Sequence, residues 1–173
     1  MFLNEIKQYS IVGAVFTLIA GILLHFVYEW TGGNNLIAIF GAVNESTWEH
    51  LKMLFWPIIL FGVIEYFIYG KEYRNFASIK VLSALLGMAT IVVLFYTYTG
   101  ILGDNYLILD ILVFIVGIVT AYIFSTKNLI SQKKYSSDFW TKTSVLLLLL
   151  LIILFVLFTF LPPNIGLFKE LTF

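Results

Sequence analysis

Histidine and acidic residues flank one short connection between two apolar segments. His25 and Glu29 are four residues apart in "HFVYE", so they lie on one face if this segment is helical. Glu45, Glu49 and His50 follow in "NESTWEH", where the two glutamates have the same spacing. Imidazole and carboxylate ligands without sulfur suit zinc, manganese, iron or nickel better than copper(I). These residue types therefore predict a metal or proton-transfer site at this connection.

Asp110 is a further candidate, because "YLILDILVF" surrounds it with apolar residues. Ionisable groups inside membrane segments are usually functional. We predict that His25 and His50 bind a divalent metal together with one of Glu29, Glu45, Glu49 or Asp110. We take Glu29 as the third ligand, and Glu49 and Asp110 as catalytic carboxylates. Catalytic zinc commonly has three protein ligands and leaves a position for water. Without metal, the same cluster would suit a proton relay or a pocket for a cationic solute.

Helix capping is a simpler explanation for part of this cluster. Asn44 would be a good N-cap, and "STWE" from Ser46 to Glu49 matches a capping box. Glu45 in a first turn would complement the helix dipole. Both interpretations stay open for Glu45 and Glu49. For Glu45 we expect replacement by alanine to weaken mainly the helix start, by about 1 kcal/mol.

Composition restricts the class of protein. The chain has 173 residues, of which 61% are hydrophobic and 12% are charged, about half the charged fraction of an ordinary soluble domain. The formal net charge is zero, which gives no electrostatic reason to expect nucleic acid as a partner. There is no cysteine, which excludes disulfides, thiolate nucleophiles and cysteine-ligated metals. The lipid bilayer is the expected environment.

Apolar segments predict an all-α, polytopic membrane helix bundle with five transmembrane helices in a single integral membrane domain, residues 1–173. The stretch "LIAIFGAV", residues 36–43, is too short to span and is predicted to be interfacial or re-entrant. Non-helical backbone at membrane depth must lie against protein or a wet cavity, which favours a cavity here. The five predicted spans are residues 10–30, 48–69, 76–99, 106–125 and 143–161.

Basic residues predict the orientation. They concentrate in the second and fourth connections, which should face the cytoplasm by the positive-inside rule. This gives a cytoplasmic N-terminus, an extracytoplasmic C-terminus and a site that faces outward. Glu65 is predicted to pair near the inner surface with Lys71, Arg74 or Lys80, or with a tyrosine. We expect Glu65, Lys71 and Arg74 to anchor that surface with no part in the outward site. The basic residues of the two connections are Lys71, Arg74, Lys80, Lys127, Lys133, Lys134 and Lys142.

The motifs "HFVYEW", "NESTWEHLK", "YTYTG" and "LPPNIGLF" resemble those of a family of small, uncharacterised, multi-pass bacterial membrane proteins. The resemblance covers most of the chain, and "NESTWEH" is its most specific part. It implies a location in the bacterial inner (cytoplasmic) membrane, and it transfers no activity, cofactor or catalytic residue.

Two functional hypotheses follow from the polar cluster. The first is a metal-dependent membrane enzyme that acts on a lipid or a small extracytoplasmic substrate. The second is a non-enzymatic component of a membrane complex that binds or transports a solute or metal, with an unknown protein partner. A purely structural role, in which every polar group is a cap or an anchor, is the third.

Overall fold

The computed structural model of the protein describes residues 3–131 and 134–170, and these residues form a helical bundle. Five of the helices are long and apolar enough to cross a membrane, which confirms the predicted all-α, multi-pass architecture. Two 3₁₀ turns, Gly70–Glu72 and Gly166–Phe168, lie in the connection after the second long helix and after the last helix. The α-helices are α1 Leu3–Trp30, α2 Asn35–Ala38, α3 Thr47–Ile68, α4 Phe76–Leu102, α5 Leu107–Ser131 and α6 Asp138–Phe160.

Four of the long helices extend several residues past one end of the apolar spans read from the sequence, whereas α3 matches its predicted span to within one residue. α1 begins before residue 10, and α5 continues past residue 125. An apolar run marks the part of a helix that suits the membrane, whereas the helix ends where its backbone conformation ends. At Gly103, for example, the backbone turns left-handed (φ +82°), as is common just past a helix end.

The helices pack around α3 and α4, which are the most buried of the five spans. α4 contacts α3, α5 and α6, and α1 contacts α3 and α5. α4 and α5 approach closely at Gly87 and Gly117, where a Cβ on Gly87 would lie 2.9 Å from the Gly117 carbonyl oxygen. Small residues commonly permit such close approach between membrane helices.

The chain direction gives the bundle two distinct ends. At one end α1, α4 and α6 terminate while α3 and α5 begin, and we call it the histidine end because His25 and His50 lie there. At the opposite end α1, α4 and α6 begin while α3 and α5 terminate. An apolar core that includes Leu54, Phe55 and Ile58 of α3 separates the two.

Residues 35–43, which we call the inserted segment, fold back between α1 and α3. The Ala42 N–H donates to the Leu24 carbonyl at 3.1 Å. Leu24 lies about 9 Å along α1 from its last residue, at 1.5 Å per residue. A Cβ on Gly41 would lie 2.8 Å from Val27 Cγ1, so this backbone touches α1 closely. Leu36 is 72% exposed, whereas Ala38 is 2% exposed, so the segment has an outer apolar face and a buried inner face.

Candidate metal centre

Three side chains from different parts of the chain converge at the histidine end. His25 comes from α1, His50 from α3, and Glu45 from the connection between them. Glu45 Oε2 lies 3.6 Å from His25 Nε2 and 3.4 Å from His50 Nε2. The two imidazole centroids are 5.2 Å apart, and one ligand atom from each residue lies within 4.8 Å of the other two. Among residues 3–131 and 134–170, these three form the group of histidine and acidic side chains whose possible ligand atoms lie close enough together to share a metal ion.

Capping of α3 is performed by the neighbours of Glu45. Ser46 is the N-cap, and its hydroxyl accepts the Glu49 N–H at 3.4 Å. Asn44 Oδ1 accepts the Ser46 N–H at 3.0 Å. Ser46 is therefore the N-cap, as the capping-box interpretation predicted, but the Glu49 side chain bonds to the Val43 N–H instead of completing the box at the Ser46 N–H. The Glu45 carboxylate instead faces the two imidazoles.

The hydrogen bonding of His50 defines what its second nitrogen can do. His50 Nδ1 lies 2.8 Å from the Ser46 carbonyl oxygen. A carbonyl only accepts hydrogen bonds, so Nδ1 carries a proton. His50 Nε2 then faces the Glu45 carboxylate either as a second N–H or as a free lone pair. Facing lone pairs repel, so the neutral ring needs a cation between Nε2 and the carboxylate. Metal-binding histidines typically donate their other ring N–H to a carbonyl or carboxylate in this way.

Glu45 is the negative charge of the group. The hydrogen bond from His50 is the largest influence on it and lowers the pKa of Glu45 below its ordinary value of 4.5. The charges of His50 and His25 act in the same direction, while partial burial opposes them. Glu45 is therefore ionised at neutral pH and available to a cation or an imidazolium.

Glu29, a predicted metal ligand, lies outside this group. It is on α1 one turn beyond His25, and its side chain is exposed. Spacing of four residues places two side chains on the same face of a helix. It does not determine which of them a neighbouring segment covers. Here the connection brings Glu45 onto His25, and Glu29 remains on the exposed surface.

Glu49, a predicted catalytic carboxylate, is 2% exposed and fully engaged with other groups. Its Oε2 lies 2.5 Å from Lys52 Nζ and accepts the Val43 N–H at 3.0 Å. Its Oε1 accepts the Thr159 hydroxyl at 3.1 Å. Sequence reasoning missed Lys52 as a partner. The available signal was a lysine three residues after a glutamate on an otherwise apolar helix face.

Asp110, the second predicted catalytic carboxylate, lies beside the group at the start of α5. Its Oδ1 accepts the Tyr98 hydroxyl, and its Oδ2 accepts the Asn105 side-chain amide at 3.4 Å. It is close enough to His50 to interact with it electrostatically. Tyr98 and Asn105 therefore hold a second carboxylate within electrostatic range of His50.

Comparison with known proteins gives a family without an activity. A family model, described as a family of unknown function (DUF6512), matches residues 1–172. The chain belongs to this family. No curated protein and no solved structure matches the chain. Membership in DUF6512 agrees with the resemblance to an uncharacterised family that the sequence motifs indicated.

The opposite end of the DUF6512 chain holds Glu65 and the basic residues predicted to accompany it. Glu65 is 0% exposed, lies 2.5 Å from Lys80 Nζ, and accepts the Tyr69 hydroxyl at 2.5 Å. Both partners were among the alternatives read from the sequence. Arg74 instead pairs with Asp138 at 2.6 Å. Glu65 therefore belongs to a buried pair and Arg74 to a surface pair, while the Lys71 ammonium lies 4.8 Å from the centroid of the Phe67 ring. Lys133, one of the predicted basic residues, lies outside the described part of the chain.

Proposed function

We propose that this protein binds one divalent metal ion through His25, Glu45 and His50, and that it is a metal-dependent membrane enzyme. The carrying observation is the convergence of two imidazole nitrogens on one carboxylate oxygen, with His50 Nδ1 already bonded to a backbone carbonyl. With a neutral His50 ring, that arrangement favours a bound cation between Nε2 and the Glu45 carboxylate. Zinc, manganese and iron are the candidates, since the donors are nitrogen and oxygen.

The distances support this proposal. Ligand atoms about 2.0–2.1 Å from a tetrahedral zinc ion lie roughly 3.3 Å from one another. The two imidazole–carboxylate distances, 3.6 and 3.4 Å, are close to that separation. All three ligand atoms lie within 4.8 Å of one another, so side-chain rotation alone could close the set. A separation of the two histidines above about 12 Å would exclude shared coordination, whereas their ring centroids are 5.2 Å apart.

Three protein ligands leave a coordination position for water or substrate, as in catalytic rather than structural zinc sites. A metal there would supply Lewis acidity and a water of lowered pKa. The three side chains are 28%, 40% and 26% exposed, for His25, Glu45 and His50, so a substrate could reach them from outside the bundle. We assign a lipid headgroup or a small extracytoplasmic molecule as that substrate.

Asp110 and Glu49 take different roles in this proposal. Asp110 lies within electrostatic range of His50 and is our candidate for the general base. Glu49 has both oxygens engaged by buried donors, which makes it poorly available for proton transfer. We therefore assign Glu49 to positioning.

Metal titration of the purified, chelator-stripped protein tests the proposal. We expect one zinc ion per chain by elemental analysis and calorimetry. His25→Ala and His50→Ala should each lower affinity by about 100-fold or more, beyond the 10–100-fold that loss of a supporting residue usually costs. Glu45→Gln should weaken binding strongly, while the matched control Glu29→Gln should leave affinity within about twofold. Equal binding by all four variants, or none by the wild type, would contradict the assignment.

The main alternative is a non-enzymatic component that binds or transports a metal or solute. Water-proton relaxation of the manganese-loaded protein separates the two. An exchangeable water on the bound ion supports the enzyme, and a fully occupied coordination sphere supports the alternative.

We also propose that the N-terminus is cytoplasmic and that the histidine end faces away from the cytoplasm, in a bacterial inner membrane. Lys71, Arg74 and Lys134 support this, because all belong to the connections at the opposite end of the bundle. The chain has no cysteine, so single cysteines can be introduced without background. An impermeant maleimide should label Asp104→Cys in intact cells and leave Ser131→Cys unlabelled. The reverse pattern would overturn the orientation.

A further inference from the structure

We infer that the buried Glu49–Lys52 pair is a positioning device for the candidate metal centre. It fastens the inserted segment, residues 35–43, to α3, and thereby places Glu45 between the two histidines. The fastening itself is independent of any ligand, whereas its consequence for metal binding rests on the proposed function.

The charged side chain of Lys52 hydrogen-bonds to the backbone of the inserted segment. Its ammonium group can donate three hydrogen bonds. It contacts the Glu49 carboxylate at 2.5 Å, the Ala38 carbonyl at 2.7 Å and the Thr159 hydroxyl at 3.0 Å. The side chain is 0% exposed. All three donors are therefore satisfied within the protein, and one of them ends on the inserted segment.

Glu49 holds the other end of the same segment. The carboxylate oxygen that faces Lys52 also accepts the Val43 N–H at 3.0 Å. Ala38 and Val43 thus bond to the two members of one ion pair. Val43 is two residues before Glu45, so a shift of this attachment would move the Glu45 carboxylate directly.

The physical need for the pair comes from the location of the segment. Carbonyl and amide groups that leave a helix at membrane depth must find partners in the protein, since unsatisfied groups cost several kcal/mol in hydrocarbon. Trp56 Nε1 donates to the Ile39 carbonyl at 3.0 Å, and the ion pair serves the neighbouring Ala38 and Val43. An isolated lysine could not serve here, because a buried charge needs a counter-charge.

A pair of double variants separates positioning from general stability. Replacing a complete buried ion pair by apolar residues is often neutral for stability. Glu49→Leu with Lys52→Met removes the attachments of Ala38 and Val43. Glu65→Leu with Lys80→Met removes the comparable buried pair at the opposite end and is the matched control. Both readouts are made on the full-length protein: hydrogen exchange of the Val43 amide in metal-free protein, and zinc affinity.

We expect the Glu49/Lys52 double variant to exchange the Val43 amide at least about tenfold faster and to bind zinc about 10–100-fold more weakly, the usual effect of losing a supporting residue. The Glu65/Lys80 control should leave both values unchanged. Wild-type exchange at Val43 in the first variant, or an equal increase in the control, would overturn the inference. Faster exchange in a protein whose wild type binds no zinc would support the fastening and refute the metal site.

A milder variant keeps the test decisive if the first does not fold. Glu49→Met with Lys52→Met replaces both side chains by flexible, unbranched apolar ones that adapt to irregular gaps, and it removes both the acceptor for Val43 and the donor to Ala38. Faster exchange at Val43 supports the inference, and unchanged exchange in this folded variant would refute it.

Discussion

The two buried ion pairs in the described part of the chain have the same chemistry and different surroundings. In both, the lysine nitrogen lies 2.5 Å from a glutamate oxygen, and no member is more than 5% exposed. Glu49 and Lys52 are three residues apart on α3, and their remaining contacts are with backbone and a threonine. Glu65 and Lys80 join α3 to α4.

The surroundings of Lys80 explain this difference. Its ammonium lies 5.5 and 5.4 Å from the ring centroids of Phe76 and Tyr122, and Glu65 accepts the Tyr69 hydroxyl. The pair at the opposite end thus cross-links helices. The pair at the histidine end instead bonds to backbone groups of a segment that lies outside the long helices. Each buried ion pair stabilises the part of the protein that supplies its remaining hydrogen-bond partners. At the histidine end that part is the inserted segment, and the candidate ligand Glu45 follows it in the chain.

The largest expected effect is the loss of one partner from either pair. Lys52→Met and Lys80→Met each leave a buried carboxylate unpaired, which costs about 3–5 kcal/mol. Both variants should show similar losses in reversible unfolding in detergent. Zinc affinity of the folded fraction should fall for Lys52→Met alone. A stability loss below about 1 kcal/mol in either variant would mean that its glutamate is protonated or hydrated in the native protein.

The close contact of the inserted segment with α1 predicts an intermediate effect. A Cβ on Gly41 would lie 2.8 Å from Val27 Cγ1 and 3.0 Å from the Leu24 carbonyl oxygen, so Gly41→Ala must displace the segment. Overpacking of this kind costs about 1–3 kcal/mol. The displacement should also weaken zinc binding.

Gly100→Ala is the control for Gly41→Ala, because a Cβ added at Gly100 would have no atom within 4 Å. In a helix, alanine is favoured over glycine by up to about 1 kcal/mol. Gly100→Ala should therefore leave the free energy of unfolding unchanged or raise it slightly, and it should leave zinc affinity unchanged. Equal losses in the two variants would show that the inserted segment is not held against α1.

The architecture was accessible from the sequence because it depends on apolar run lengths. The identity of the third member of the cluster was not. Glu29 shares a helix face with His25, and helical periodicity favours such neighbours. Glu45 reaches His25 only because the inserted segment folds back on α1, and that fold depends on contacts of Lys52 and Trp56 with backbone carbonyls. Side chain to backbone contacts of this kind leave no periodic signal.

The two ends should also respond to opposite extremes of pH. The pKa of Glu45 is lowered chiefly by its hydrogen bond from His50. Its contribution to stability is therefore present above the ordinary value of 4.5 and is lost as the pH falls through the lowered value. Burial, followed by the charge of Glu65, raises the pKa of Tyr69 above its ordinary value of 10.0. Its contribution is present below about pH 10 and is lost as the pH rises further.

The free energy of unfolding, measured as a function of pH, tests both predicted directions. Glu45→Gln should reduce the loss of stability at acid pH and leave the alkaline range unchanged. Tyr69→Phe should reduce the loss above about pH 10 and leave the acid range unchanged. An acid effect of Tyr69→Phe equal to that of Glu45→Gln would show that the two ends are coupled.

The smallest effect is expected for the ion pair on the surface of the opposite end. Arg74 and Asp138 lie 2.6 Å apart, nearly as close as the buried pairs, but their side chains are 70% and 79% exposed. Exposed pairs contribute about 0–1 kcal/mol and are screened by salt. Arg74→Gln should therefore change the free energy of unfolding by less than about 1 kcal/mol, and about 1 M salt should remove most of that difference. The loss for Lys80→Met at the same end should persist in salt. A salt-resistant loss of several kcal/mol for Arg74→Gln would instead mean that distance rather than burial sets the value of a charge pair in this protein.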